Sequence, residues 1–135
     1  MADSEAPDLD ALLDAARDAA RSAYCPYSNF HVGAAVLAGG RVFTGANVEN
    51  ASYGLTVCAE RTAAFAAVLA GAGRIDAVAV ACVDAPEGSG PEGLMPCGAC
   101  RQVLAEFAGP EVPVMVDRVG RLTIADLLPH AFRLR

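Results

Sequence analysis

Apolar residues recur at helical spacing near the start of the chain, with charged residues between them. Leu9, Leu12, Leu13 and Ala16 follow a period of about 3.6 residues, while most of the positions between them carry Asp or Arg. This pattern predicts an amphipathic helix that ends near Tyr24.

The rest of the chain alternates apolar runs with segments of helical composition, separated by Gly and Pro. The predicted strands are residues 30–38, residues 41–48, residues 75–83 and, as the last strand, residues 112–116. The predicted helices are residues 58–70, residues 101–107 and a short capped helix at residues 123–128.

This order of elements predicts an α/β protein in which one sheet carries helices on both faces, a three-layer α/β/α sandwich. No repeat or composition shift suggests a second domain, so residues 1–135 are expected to form one domain. Residues 1–8 are expected to be a mobile acidic N-terminus, and residues 84–93 a surface loop without recognisable chemistry.

Charge and composition narrow the class of partner. The net charge of −6 argues against nucleic acid, because affinity there comes from neutralising phosphates. The chain shows no secretory signal and no uncharged apolar run of ~18 residues, so we expect a cytoplasmic protein that does not bind membranes. With 54% apolar residues in a small chain, some surface is expected to be buried between subunits.

Five cysteines make metal ligation the leading question in a reducing compartment. Cys58 starts one predicted helix, and Cys97 and Cys100, with two residues between them, stand just before another. This spacing places the two sulfur atoms within reach of one zinc ion, and Cys58 can supply a third ligand from the other helix. Three protein ligands leave a tetrahedral zinc one open position, which is typical of a catalytic site.

Glu60 and Arg61, which follow Cys58 in the sequence, support the interpretation as a catalytic zinc site. Glu60 points away from the direction of Cys58 and suits a proton carrier better than a ligand. Three thiolates leave a zinc site negative, and Arg61 together with the two helix N-termini could offset that charge.

Structural zinc sites and redox pairs are the alternative interpretations of a Cys-x-x-Cys motif. A structural site would usually show a fourth ligand. His31 and His130 lie far from the motif in sequence, and Cys82 is expected to be a buried core residue. Cys25 stays open as a ligand.

With these motifs, the chain resembles the small cytidine deaminases of pyrimidine salvage over nearly its whole length, including the Cys-x-Glu and Pro-Cys-x-x-Cys signature of zinc deaminases. The other matching segments are Ala23-Tyr24-Cys25-Pro26-Tyr27-Ser28-Asn29-Phe30, Val32-Gly33-Ala34-Ala35, Gly45-Ala46-Asn47-Val48-Glu49-Asn50 and Leu127-Leu128-Pro129-His130-Ala131-Phe132.

The resemblance implies a mixed sheet of roughly five strands, zinc as the cofactor and hydrolysis of cytidine and deoxycytidine to uridine and deoxyuridine, with release of ammonia. It also implies a homotetramer whose active sites are shared between subunits. In the family pattern Asn47 and Glu49 match residues that bind the ribose hydroxyls. Phe30 matches the ring that packs against the base, and Ala59 matches a position whose backbone contacts the base. Tyr53 matches a residue near the nucleoside from a neighbouring subunit, and Arg61 matches a residue that bonds the ligand sulfurs.

Two rival functions remain at this point. One is a deaminase of a cytosine-containing antibiotic such as blasticidin S, and the segment Asn47-Val48-Glu49-Asn50 favours nucleosides over it. The other is a non-catalytic zinc-binding interaction module, which would need a closed coordination sphere and would not need Glu60.

Overall fold

An acidic side chain caps the N-terminus of the first helix. A computed structural model of the chain describes residues 6–134. Helix α1 spans Leu9–Ala19 and continues into a single turn at Ala20–Ser22, and Asp8 caps it by accepting the N–H of Ala11 at 3.0 Å. Residues 1–5 of the segment expected to be mobile lie outside the described residues.

Five strands form one mixed sheet in the order β2-β1-β3-β4-β5. Strand β3 is the centre, antiparallel to β1 and parallel to β4, as the apolar run at residues 75–83 indicated. The bounds are β1 Val32–Ala38, β2 Arg41–Ala46, β3 Ile75–Cys82, β4 Pro113–Val116 and β5 Gly120–Thr123.

Strand β5 corrects the prediction that residues 112–116 form the last strand. It pairs antiparallel with β4 after a tight turn in which Arg118 and Gly120 adopt positive φ angles of 67° and 121°. The strand has only four residues and none of them is fully buried, so it lacks the apolar pattern by which the other strands were found.

Three further helices lie along the chain. Helix α2 spans Ala59–Leu69, α3 spans Gly98–Phe107 and α4 spans Ile124–Leu127. The predicted cap of α4 is confirmed, because Thr123 and Asp126 exchange side-chain to backbone hydrogen bonds. Helix α3 begins three residues before its predicted start at residue 101. None of the helices among residues 6–134 combines the length and apolar character needed to span a membrane.

The two faces of the sheet bury side chains of different size. The face under α1 carries alanines from β1 and β3, whereas the face under α2, α3 and α4 carries valines from β1, β3 and β4. Because successive side chains alternate between faces, the odd positions of β3 from Ala77 onward meet α1 and the even positions meet the other layer. The α1 face consists of Ala35, Ala77, Ala79 and Ala81, and the opposite face includes Val36, Val78, Val80, Val114 and Val116.

Glycines let two helices approach the sheet closely. At Gly33 of β1 a Cβ atom would collide with the carbonyl oxygen of Ala16 in α1. At Gly45 of β2 it would collide with the backbone nitrogen of Ala63 and with the side chain of Thr62, both in α2. The backbone of α2 is therefore seated directly on β2, which fixes where the helix begins.

We predict that Gly33→Ala destabilises the protein by about 3 kcal/mol or more, at the upper end of overpacking effects, because the obstacle is backbone that cannot rotate away. Gly73→Ala is the matched control, since a Cβ there meets nothing within 4 Å. Urea unfolding of both variants measures the difference. Equal midpoints for the two variants would contradict the close contact between α1 and β1.

Candidate metal centre

Two of the three candidate ligands stand at the starts of helices. Cys58 is the N-cap of α2 and Cys97 is the N-cap of α3, both with extended backbone angles. Cys100 lies in the first turn of α3, where a spacing of three residues brings it to the same side as Cys97. The prediction that two helix starts converge on the cysteines is confirmed by these positions.

The sulfur atoms fit a zinc ion. The Sγ atom of Cys97 lies 3.8 Å from that of Cys58 and 3.4 Å from that of Cys100, and all three lie within 4.8 Å of one another. Tetrahedral zinc with Zn–S bonds of about 2.3 Å requires sulfurs ~3.8 Å apart. Among the described residues no fourth His, Cys, Asp or Glu joins this group. Cys25, left open by the sequence, is therefore not part of it.

The start of helix α3 is held in place by Arg101, a side chain of the same helix. The guanidinium of Arg101 donates to the carbonyl of Pro96 at 2.9 Å and to the carbonyl of Leu127 at 2.8 Å. These bonds tie the residue before Cys97 to the end of α4. The position of the Cys97 and Cys100 sulfurs thus depends on a contact about 30 residues further along the chain.

Positive charge faces the sulfur cluster, as the sequence required. Arg61 places its Nη2 atom 3.4 Å from the Sγ atom of Cys58. A hydrogen bond from the Cys100 thiol, together with the Arg61 guanidinium, lowers the pKa of Cys58. The contact with Cys58 in turn raises the pKa of Arg61, which therefore stays charged. Two helix N-termini add partial positive charge at the same point.

Glu60 is a buried carboxyl group beside the cluster. Only 4% of its surface is exposed. Burial raises the pKa of Glu60 to about 7, and the charge of Cys58 contributes in the same direction. A buried carboxyl group with such a pKa, placed next to a metal site, can exchange protons near neutral pH.

A cavity of about 220 Å³ opens directly onto these residues. Phe30, Asn47 and Ala59, three of the predicted substrate contacts, line it together with Glu60. Sequence reasoning missed five other residues in its wall, which are Val32, Thr56, Cys82, Gly93 and Met95.

Two of these residues correct explicit expectations. Cys82 was expected to be a buried core residue rather than a ligand. It does pack against the core and lies outside the sulfur group, but it is only half-buried and borders the cavity, with its thiol 3.8 Å from the carbonyl oxygen of Leu94. Gly93 belongs to the loop at residues 84–93, which showed no recognisable chemistry in the sequence, yet it lines the cavity. The loop is anchored by Arg118, whose guanidinium donates to the carbonyls of Cys82, Ala85 and Pro86.

Asn47 is already held by backbone groups. Its Oδ1 atom accepts the N–H of Val32 at 2.9 Å and its Nδ2 atom donates to the carbonyl of Phe30 at 2.8 Å. An amide group has a second N–H and a second acceptor site, so Asn47 retains one of each for a ligand in the cavity.

Glu49 and Tyr53 line a second cavity of about 350 Å³, which shares Thr56 with the first. The extended segment after β2 therefore places Asn47 and Glu49 at two adjoining cavities rather than at one. Tyr53 is 90% exposed. A hydrogen bond from Ser28 lowers the pKa of Glu49, which stays ionised at neutral pH.

Comparison with known proteins identifies close relatives. The family model described as the cytidine and deoxycytidylate deaminase zinc-binding region matches residues 7–116. A cytidine deaminase of Mycobacterium tuberculosis is 52% identical over 135 residues, covering 95% of this chain and 93% of that protein. One of Sporosarcina psychrophila is 44% identical over 93% of this chain and 91% of that protein.

Solved structures agree. The crystal structure of the cytidine deaminase from Mycobacterium tuberculosis matches with a TM-score of 0.81 at 46% identity, covering 96% of this chain and all of that one. The structure from Burkholderia pseudomallei matches with a TM-score of 0.79 at 48% identity, covering 91% of this chain and 98% of that one.

We predict that Cys97→Ser loses the zinc that the purified protein carries, because the two remaining sulfurs cannot hold the ion against dialysis. Cys25→Ser is the matched control and should keep about one zinc per chain, since Cys25 is outside the sulfur cluster. Metal analysis after dialysis checks both variants. Full zinc in the Cys97 variant would show that the cluster is not the metal site.

Proposed function

Since the chain belongs to the cytidine and deoxycytidylate deaminase family, we propose that free cytidine and deoxycytidine are its substrates and that Glu60 carries the protons of their hydrolysis. The reaction replaces the exocyclic amine of the base with oxygen from water and yields uridine or deoxyuridine and ammonia. The observation that carries the proposal is the position of Glu60, buried between the sulfur cluster and a cavity.

Cys58, Cys97 and Cys100 hold the zinc ion of this hydrolase. When bound there, zinc supplies Lewis acidity that makes water nucleophilic near neutral pH. The proton transfers are carried out by a residue of the chain. Glu60 takes a proton from the attacking water and passes it to N3 of the base while a bond forms between the water oxygen and C4.

The second half of the reaction uses the same carboxyl group. Glu60 takes the remaining proton from the hydroxyl now bonded to C4 and delivers it to the exocyclic amine. The bond between C4 and nitrogen then breaks as the C4=O double bond forms, and ammonia leaves. Burial of Glu60, which is only 4% exposed, keeps bulk water away from this transfer, so the proton goes to the substrate rather than to solvent.

The two adjoining cavities provide places for the two halves of a nucleoside. In this arrangement Phe30 packs against the base and the backbone at Ala59 contacts it. Asn47 can donate to or accept from the ribose hydroxyls, and the carboxylate of Glu49 accepts hydrogen bonds from them. No Arg or Lys is among the described residues that line either cavity, which favours a free nucleoside over a nucleotide.

We expect Glu60→Gln to keep its zinc and to lower kcat for cytidine by at least a thousandfold, because an amide cannot accept and return the proton. Ammonia release from cytidine, deoxycytidine, cytidine monophosphate and blasticidin S, with and without a chelator, checks this and the substrate class together. A zinc-loaded variant that keeps most of its turnover would overturn the role of Glu60. Turnover of the antibiotic alone would overturn the nucleoside assignment.

We further propose that the protein acts as a homotetramer. Several large apolar side chains are exposed, among them Tyr53 in the wall of the second cavity, Leu55 two residues later, and Leu69 at the end of α2, which is 89% exposed. Such residues are stabilised when a second copy covers them. Tyr53 then comes close to the nucleoside of a neighbouring subunit.

Sedimentation at assay concentration should therefore give four times the chain mass of 13.8 kDa. Leu55→Asp should dissociate the assembly, because a charge cannot be buried in an apolar contact without a partner, and should lower turnover while the zinc content stays unchanged. An active wild-type monomer would contradict the proposal.

A further inference from the structure

The segment before β1 folds around the carboxylate of Glu49. Its turn is closed by the N–H of Asn29, which donates to the carbonyl of Cys25 at 2.8 Å, and Asn29 has a positive φ angle of 56°. Inside the turn the backbone N–H groups of Tyr27 and Ser28 both donate to the Oε1 atom of Glu49, at 3.1 and 3.2 Å.

The Ser28 hydroxyl makes the remaining contact. It donates to the Oε2 atom of Glu49 at 2.5 Å and accepts the backbone N–H of Phe30 at 3.0 Å. These directions are fixed by chemistry, because an ionised carboxylate only accepts hydrogen bonds and a hydroxyl has one proton to give. A hydrogen bond between a hydroxyl and a carboxylate is among the stronger kinds in proteins.

The two kinds of contact restrain Glu49 differently. The N–H groups hold only Oε1, so the carboxylate could still turn about that atom and carry Oε2 away from the cavity. The bond from Ser28 holds Oε2 and thereby fixes the carboxylate plane. Oε2 keeps one acceptor site free, and Glu49 and Ser28 both line the second cavity.

We propose that Ser28 is a positioning residue for ribose recognition, because its hydroxyl orients Glu49 so that the free acceptor site of Oε2 meets a ribose hydroxyl. This inference rests on the proposed nucleoside activity and on the ribose contact of Glu49. An acceptor held in place before binding loses less conformational entropy when the substrate arrives, so the effect falls on KM.

Ser28 also bonds the backbone of Phe30, the residue placed against the base. The effect of Ser28 on binding of the base must therefore be separated from its effect on binding of the ribose. A substrate without the 2′- and 3′-hydroxyls makes this separation. With 2′,3′-dideoxycytidine the base and Phe30 are unchanged and the 5′-hydroxyl remains, while the 2′- and 3′-hydroxyls that Glu49 would bind are absent.

The test compares Ser28→Ala, Glu49→Gln and the double variant with wild type, using cytidine and 2′,3′-dideoxycytidine. We expect Ser28→Ala to raise KM for cytidine about three- to tenfold with little change in kcat, a loss on the scale of one hydrogen bond. Its kcat/KM for the dideoxynucleoside should change less than twofold. In the background of Glu49→Gln, the second substitution should add less than twofold.

Two further variants serve as controls. Ser28→Thr keeps a hydroxyl and should restore most of the affinity for cytidine. Ser22→Ala removes an exposed hydroxyl that makes no hydrogen bond to Glu49, and it should behave as wild type. Unchanged kinetics in Ser28→Ala, or an equal loss with both substrates, would overturn the role of Ser28. If Glu49→Gln has wild-type kinetics, the ribose contact itself is wrong, and if wild type does not turn over cytidine, the proposed function is wrong.

Discussion

Three sulfur atoms within 4.8 Å of one another determine much of the architecture around them. Thiolates crowded at this distance repel one another, so the fold must deliver positive charge and fixed ligand positions to the same point. It does so by directing the N-termini of α2 and α3 at the cluster. Gly45 and Thr62 seat the first turns of α2 on β2, with the Thr62 hydroxyl 2.9 Å from the carbonyl oxygen of Ala46, while Arg101 anchors α3 to the end of α4.

The same arrangement explains how Glu60 can be buried. A carboxyl group removed from water normally avoids ionisation, and burial accordingly raises the pKa of Glu60. The Arg61 guanidinium compensates in part, because it stands against Cys58 in the same helical turn. The proposed metal ligand Cys58, the proposed proton carrier Glu60 and the cation Arg61 therefore all belong to residues 58–61, and the close contact between α2 and β2 positions the three together.

Sequence patterns predicted most of this, and their failures have a physical cause. Period and spacing identified α2, the central strand β3 and the three cysteines whose sulfurs cluster, because each rests on local rules. Cys82 lies at an even position of β3 and therefore faces α2 and α3, which alternation alone implies. Whether this position borders a cavity depends on the distance between the N-termini of α2 and α3, which alternation along one strand does not predict. Gly93 lies in the loop that follows β3, and Arg118 holds the start of that loop through the carbonyls of Cys82 and Ala85, which are contacts remote in sequence.

Asn47 and Glu49 show why structural and functional interpretations of a polar residue need not compete. An Asn after a strand is most simply interpreted as a turn former. In the fold Asn47 does bind backbone groups, the carbonyl of Phe30 before β1 and the N–H of Val32 at its first residue. Glu49 likewise binds the turn that precedes Phe30. Each side chain, however, has more hydrogen-bonding sites than the backbone uses. The bonds that fold residues 25–32 against residues 46–49 are therefore the bonds that hold the spare sites still, so loss of local stability and loss of substrate recognition should go together.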